Sequence, residues 1–233
     1  MASDVTIIIP CFNAGRRLDP VVRGALASGH PVVVVDDGST DASGEIARAA
    51  GAEVILRHPR NQGKGAALRT GFRYALQQGA GAVLTIDADG QHDPMEIPAL
   101  VAAHVREPQA LIIGVRSFAP DAMPRRSRIG NRISTYWIAL YAGRAYADTQ
   151  SGFRIYPRAI AALPALRTTR FNTEAELLLT AAKLGLPLVE VPVRTIYDAD
   201  RVTHFHGFTD TLRVMRLVFL SPLWGRGLRR GSE

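Results

Sequence analysis

Short apolar runs alternating with helix-compatible stretches constrain this chain more than any other feature. Val5–Ile9, Pro31–Val35, Glu53–Leu56, Val83–Ile86 and Leu111–Val115 read as strands, short and rich in β-branched residues. Between them lie Arg16–Ala27, Ala42–Ala50 (capped by Thr40 or Asp41), Ala66–Gln78 and a helix from Pro94 to about Arg106. Such alternation builds βαβ units, and therefore an α/β fold with a mostly parallel sheet flanked by helices. In sheets of this kind ligands sit beyond the carboxyl ends of the strands. Three of those ends carry polar loops: Pro10-Cys11-Phe12-Asn13, Asp36-Asp37-Gly38-Ser39 and Asp87-Ala88-Asp89. The topology would bring all three to one rim.

The last of these loops has the most specific chemistry. Residues two apart leave a strand pointing the same way, so Asp87 and Asp89 can converge on one point, with Gln91 as a further oxygen ligand. Such a donor set suits Mg²⁺ or Mn²⁺, hard cations that take a few carboxylates plus substrate phosphates. The competing reading is that these carboxylates merely cap the helix that Pro94 opens, a task for which one Asp is enough. Gly63-Lys64-Gly65 resembles part of a phosphate loop, yet would serve equally as a helix entry made flexible by glycine. Neither the dinucleotide fingerprint after the first strand nor a complete phosphate loop is present.

The chain has 233 residues, 47% of them hydrophobic, enough for one large domain with a full core. Lys64 and Lys183 are the only lysines, and the rest of the 28 basic residues are arginine, at a net charge of +7. The arginine bias is either genomic composition or a surface for phosphate-bearing partners: nucleotide, anionic lipid or nucleic acid. Cys11 stands alone, which excludes an internal disulfide and fits a reducing compartment. The N-terminus lacks a signal-peptide pattern. No run reaches the ~18 apolar residues of a membrane span, so the chain is not expected to be integral to a membrane.

Past residue 115 the pattern changes. Met123 to Arg128 is a basic loop feeding a helix from Ile129 to about Tyr141, which also carries Arg132. Its arginines can hold a phosphate bidentately or form a solvated charged face. Asp148 to Arg154 makes a polar turn before a strand at Ile155-Tyr156, a helix runs from Phe171 to Leu184, and Leu188–Val193 is a last strand. Near the end Phe208, Leu212, Met215 and Phe219 form one helical stripe followed by Trp224 and several arginines. The stripe reads as core packing or as a helix lying on a membrane surface.

Taken together these loops resemble family 2 glycosyltransferases with the GT-A fold. The first half matches through Pro10-Cys11-Phe12-Asn13-Ala14, Val35 to Asp41, Asn61-Gln62-Gly63-Lys64-Gly65 and Asp87 to Gln91. The second half is similar to the polyprenyl-phosphate, dolichyl-phosphate mannose synthase-like branch, through Gly114-Val115-Arg116, Asp148 to Arg154 and Glu190 to Val193. The resemblance implies a single GT-A domain over residues 1–200, then a mobile loop, an interfacial amphipathic helix and a basic tail over 201–233. It implies that Pro10, Phe12, Asn13, Asp37, Lys64, Asp87, Arg116 and Arg201 bind the donor nucleotide sugar. Asp87, Asp89 and Gln91 would hold the metal, with Asp89 part of the catalytic set. Arg126, Arg132 and Ser151 would take the acceptor phosphate. His204, where the family has a Ser-Lys pair, becomes a pH-dependent diphosphate contact, and His204 with His206 has a weaker alternative as a metal pair. Ala14 replaces an acidic residue common in the branch, leaving the base recognised undefined.

The activity so implied is inverting hexosyl transfer from a GDP- or UDP-sugar to a polyprenyl phosphate. It would need Mg²⁺ or Mn²⁺, take place at the cytoplasmic membrane face with peripheral association, and involve no nucleic acid. A phosphate monoester is already an anion, its second pKa being about 6, so such an acceptor needs orientation more than a base. The alternative is a soluble family 2 glycosyltransferase acting on a neutral hydroxyl of a glycan, protein or small molecule. That chemistry needs a base, for which Asp148 is the first candidate and Glu174 the second, although an Asp before Thr and Ser also simply shapes turns.

Overall fold

A computed structural model of the chain describes residues 4–116, 135–136, 138–140, 143–163 and 173–196. Its centre is one seven-stranded sheet. β1 (Val5–Cys11), β2 (Val32–Asp36), β3 (Val54–Arg57) and β4 (Ala82–Thr85) come first in the chain, then β5 (Leu111–Arg116), β6 (Arg154–Pro157) and β7 (Leu188–Val193). Their order across the sheet is β3-β2-β1-β4-β6-β5-β7. β1 lies parallel to both β2 and β4, and β5 lies parallel to β7. β6 alone runs the other way, antiparallel to both β4 and β5.

The helices are α1 (Leu18–Ala27), α2 (Ser43–Ala49), α3 (Lys64–Gln77), α4 (Ile97–Arg106), the short α5 (Arg158–Ala161) and α6 (Thr173–Lys183). β1 is buried along its whole length, as a central parallel strand covered on both faces must be. Its alternation divides the core. Ile7 and Ile9 pack with Val22, Leu84, Leu100, Ile112 and Phe153 on one face. Ile8 packs with Leu68, Phe72, Val83, Ile113, Tyr156 and Leu178 on the other.

The elements follow the sequence reading with shifts of a residue or two, and some of the shifts carry chemistry. α1 is preceded by a separate 3-10 turn at Gly15–Arg17, and Pro94–Glu96 is likewise 3-10 before α4 begins. Neither Thr40 nor Asp41 is the N-cap of α2, a place taken by Ala42 without a side-chain cap. The side chain of Asp41 accepts from the Ser43 N–H at 3.0 Å and the Gly15 N–H at 3.0 Å, and so ties the β1 loop to α2. Lys64 belongs to α3 as its first residue rather than to the loop before it, with Gly63 at φ 94° as the N-cap. Of the helix expected from Ile129 only residues 135–136 and 138–140 are described, and the arginines at 126, 132 and 201, His204 and the whole of 201–233 lie outside the described residues. Among the described residues no helix is long and apolar enough to cross a membrane.

Candidate active site

Because β1, β2 and β4 are adjacent and parallel, their carboxyl ends do share one rim. β5 and β7 end on the same rim, and β6 starts from it, because the chain leaves β5 there and returns there. The rim therefore gathers Phe12-Asn13, Asp36-Asp37, Asp87-Asp89, Arg116, the 148–153 loop and residue 194 onward.

Asn13 sits at φ 50°, a left-handed conformation that Asn tolerates. Its side-chain oxygen accepts from the Thr40 N–H at 2.9 Å, and its own N–H donates to Ser39 Oγ at 3.0 Å. The first two loops are thereby locked together. Phe12 is 45% exposed beside them, an aromatic face open to a ligand, while Pro10 is buried within β1 opposite Val35. Asp37 is buried and works inward. One oxygen accepts from His58 Nδ1 at 2.6 Å and the Gln62 N–H at 3.0 Å, and the other accepts from the Gly63 N–H at 2.7 Å. It thus fixes the start of α3. A groove of about 640 Å³ opens on the β2–β3 side, lined by Gly38, Ser39, Thr40, Arg57, His58 and Pro59. Cys11 at the end of β1 is buried, and burial pushes its thiol up to about 12, so it stays protonated and inert.

At the end of β4 the capping alternative resolves. Asp93 alone caps the following turn, accepting from the Met95 N–H at 3.0 Å. Asp87 and Asp89 are left for other work. Lys64 Nζ stands 2.6 Å from Asp87 Oδ1 and 2.5 Å from Glu174 Oε1. Burial would raise the Asp87 carboxyl, but Lys64 first, then His92 and Arg116, hold it below its ordinary value. Asp89 moves the opposite way. It is exposed at the rim, yet the protein around it thins its hydration, and the Asp87 charge adds to that, so its carboxyl is raised. The two neighbouring carboxylates are thus pulled in opposite directions, Asp87 towards ionisation by the cations around it and Asp89 away from it. The Gln91 main chain is held from both sides, its N–H on Asp89 at 2.9 Å and its carbonyl on the Ile196 N–H at 2.9 Å. His92 is buried against Phe153, ring centroids 5.2 Å apart. Burial takes its pKa down to about 4, so it is neutral at physiological pH.

The pair Asp87 and Asp89 fits a hard divalent cation. Both supply carboxylate oxygens, the Asp87 charge raises the Asp89 carboxyl, and room for the Asp87 carboxylate itself is left by the missing side chain of Gly152. A methyl added at Gly152 would fall 2.4 Å from Asp87 Oδ2 and 2.6 Å from its Cγ. Gly152→Ala is accordingly expected to push the Asp87 carboxylate off position. Activity should drop on the order of tenfold or more, against an overpacking cost of about 1–3 kcal/mol. Parallel measurement of kcat and Tm checks this, and an unchanged kcat would contradict it.

Arg116 and Asp148 close the other flank. Arg116 Nε and Nη2 donate to the two Asp148 oxygens at 2.6 and 3.0 Å, and Asp148 also accepts from the Gln150 and Ser151 N–H groups at 2.9 and 3.1 Å. Burial opposes ionisation, but Arg116 outweighs it and the Asp148 carboxyl lies below its usual value. A carboxylate held this way has little affinity for a proton, which speaks against the expectation of Asp148 as a base. Ser151, expected beside the acceptor phosphate, is instead fully buried. Its Oγ accepts from the Phe153 N–H at 3.3 Å and its carbonyl from Arg154 Nε at 2.7 Å. The reading from sequence missed Arg154 as a separate element. Wholly buried, it donates to the carbonyls of Thr149, Ser151 and Glu174, binding the 148–152 loop to the start of α6. Only its place in the Ser-Gly-Phe-Arg run hinted at it.

Residues 6–162 match the family model described as Glycosyl transferase family 2. An undecaprenyl-phosphate mannosyltransferase of Micrococcus luteus is 32% identical over 81% of this chain and 82% of its own. The UDP-N-acetylglucosamine–dolichyl-phosphate N-acetylglucosaminyltransferase of Methanococcus voltae is 29% identical over 83% of this chain and 86% of its own. Among solved structures, glucosyl-3-phosphoglycerate synthase of Mycobacterium tuberculosis, in complex with Mn²⁺, UDP and phosphoglyceric acid, superposes with a TM-score of 0.73. That likeness covers 94% of this chain and 78% of the other at 22% identity, and it speaks for the fold. With a family match running from β1 through α5 and the GT-A sheet order beneath it, this chain belongs to glycosyltransferase family 2 and is a nucleotide-sugar glycosyltransferase.

Proposed function

We propose that the enzyme transfers a hexose from a GDP- or UDP-sugar to a polyprenyl phosphate, with inversion, at the cytoplasmic face of a membrane to which it binds peripherally. The observation that carries this reading is the state of the rim carboxylates. Asp148 is saturated by its donors, Asp87 and Glu174 share Lys64, and Asp93 caps a turn. Asp89, the exposed rim carboxylate with the raised pKa, is committed to the cation in this reading, and none of the others is poised to deprotonate a neutral hydroxyl. An acceptor that arrives as an anion needs no such base. The names of the M. luteus and M. voltae relatives, which specify undecaprenyl and dolichyl phosphate, support the same acceptor class.

Asp87, Asp89 and Gln91 would hold Mg²⁺ or Mn²⁺, whose charge would offset that developing on the leaving nucleoside diphosphate. Phe12 would cover the base, with Asn13 holding the shape of its loop. Asp37 would act by fixing the 61–63 loop and hence the start of α3, whose N-terminal N–H groups suit phosphate. Arg116 would lie against the donor diphosphate, kept in place by Asp148, which acts as its positioning residue. The acceptor phosphate would fall to Arg126 and Arg132, and Arg201 would complete the diphosphate contacts.

The test is transfer from a panel of radiolabelled UDP- and GDP-sugars, with Mg²⁺ or Mn²⁺, into organic-extractable polyprenyl phosphate. Label should enter the organic phase with one donor and vanish with EDTA. Label found only in water-soluble products would overturn the acceptor assignment.

A further inference from the structure

Lys64 stands between two carboxylates from distant parts of the chain. Its ammonium touches Asp87 Oδ1 and Glu174 Oε1 together. Glu174 is buried, and its other oxygen, Oε2, has no hydrogen-bond partner, so it retains unmet capacity for one of the three ammonium donors. Gly63 is anchored on Asp37, which fixes the Lys64 main chain and leaves the long side chain to move. Arg116 and Asp148 neutralise each other, leaving Asp87, Asp89 and Glu174 against Lys64. A divalent cation closes that balance and a monovalent one does not.

We propose that Lys64 is an internal competitor for the cation: it holds Asp87 in the free protein and yields it, retreating onto Glu174 and the incoming diphosphate, when cation and nucleotide bind together. This rests on the reading of Asp87 and Asp89 as cation ligands. A bare cation must displace an ion pair to reach Asp87. A cation arriving with a nucleoside diphosphate brings negative charge to the N-terminus of α3, where Lys64 can follow it. Cation and donor therefore bind with positive coupling, and the cation is kept off the empty enzyme.

Direct titration of the full chain with Mn²⁺ alone, free Mn²⁺ being read by electron paramagnetic resonance, tests this, repeated with UDP and with GDP. Lys64→Gln should tighten binding of bare Mn²⁺ on the order of tenfold, within the usual span of site-to-site coupling. It should also shrink the enhancement that the nucleotide produces. Glu174→Gln should weaken bare Mn²⁺ binding, because Lys64 is then left with Asp87 alone. Since Lys64→Gln strands a buried Glu174, the double variant Lys64→Gln/Glu174→Gln guards against a folding defect and should also bind bare Mn²⁺ more tightly than the wild type. An equal nucleotide enhancement in wild type and Lys64→Gln would overturn the competition, since a merely long-range charge effect acts with or without nucleotide. Mn²⁺ bound by no variant, even with nucleotide, would remove the cation reading itself.

Discussion

Asp89→Asn is expected to abolish transfer while leaving the fold at least as stable as before. The substitution keeps the shape and removes one of two charges on the proposed cation. With several kcal/mol of charge stabilisation at stake and 1.36 kcal/mol per decade, kcat/KM should fall by about 10³-fold or more. Stability should move the other way. The Asp89 carboxyl is raised in the folded protein by thinned hydration and by Asp87, so the native state holds that proton more tightly than the unfolded chain. The resulting stability is fully present below the unfolded pKa and is lost as pH rises through the folded one. At neutral pH the ionised side chain opposes folding, and the neutral amide does not. Tm of the variant, followed from about pH 4 to pH 8, should match the wild type at the acid end and equal or exceed it at the neutral end. A clear fall in Tm at neutral pH would contradict this, showing that the ionised Asp89 stabilises the fold by more than the Gln91 N–H contact that Asn can keep.

Asp148→Asn should do the reverse: large damage to stability, and damage to activity through Arg116. Both side chains of this pair are nearly out of contact with water, at 10% and 3% exposure. Removing the charge leaves a buried guanidinium uncompensated, a loss of about 3–5 kcal/mol. For a chain of this length that is on the order of 10 °C in Tm. Here the folded carboxyl lies below its unfolded value, so its contribution is present above the unfolded pKa and disappears as pH falls through the folded one. The gap in Tm between wild type and Asp148→Asn should therefore be widest at neutral pH and narrow below about pH 4. A base would behave differently. Its loss would cut kcat with Tm unchanged and would remove an acid limb from the pH–rate profile. Arg116→Lys keeps the charge and gives up the fork, and should fall between wild type and Asp148→Asn in both measurements.

The rim was legible in sequence because it depends on local signals. β-Branched runs such as Val32–Val35 define strands, and parallel order follows from the helices between them, so the ends carrying Asn13, Asp37 and Asp87 had to meet. What escaped were partnerships between residues far apart in the chain. Lys64 meets Glu174 across more than a hundred residues, and nothing in the Gly-Lys-Gly run points to α6. Arg116 and Asp148 were each recognised, but as donor contact and base, because spacing does not reveal that the two neutralise each other. The antiparallel insertion of β6 between β4 and β5 was equally hidden. A four-residue strand has too little pattern to declare its direction, which here follows from where the chain leaves β5. Ser151 was placed beside the acceptor phosphate by the family resemblance, which does not reveal that Arg154 draws its carbonyl into the core.

The central claim is that the acceptor is already an anion, and it is tested most directly by offering the enzyme a polyprenyl phosphate and the matching free polyprenol under the same donor and cation. Glycosylated lipid should form from the phosphate alone, at a rate that levels off above about pH 6, where the second phosphate proton is lost. Comparable transfer to the free alcohol would contradict the account and require a base on the rim that the geometry of Asp148 and Glu174 does not provide.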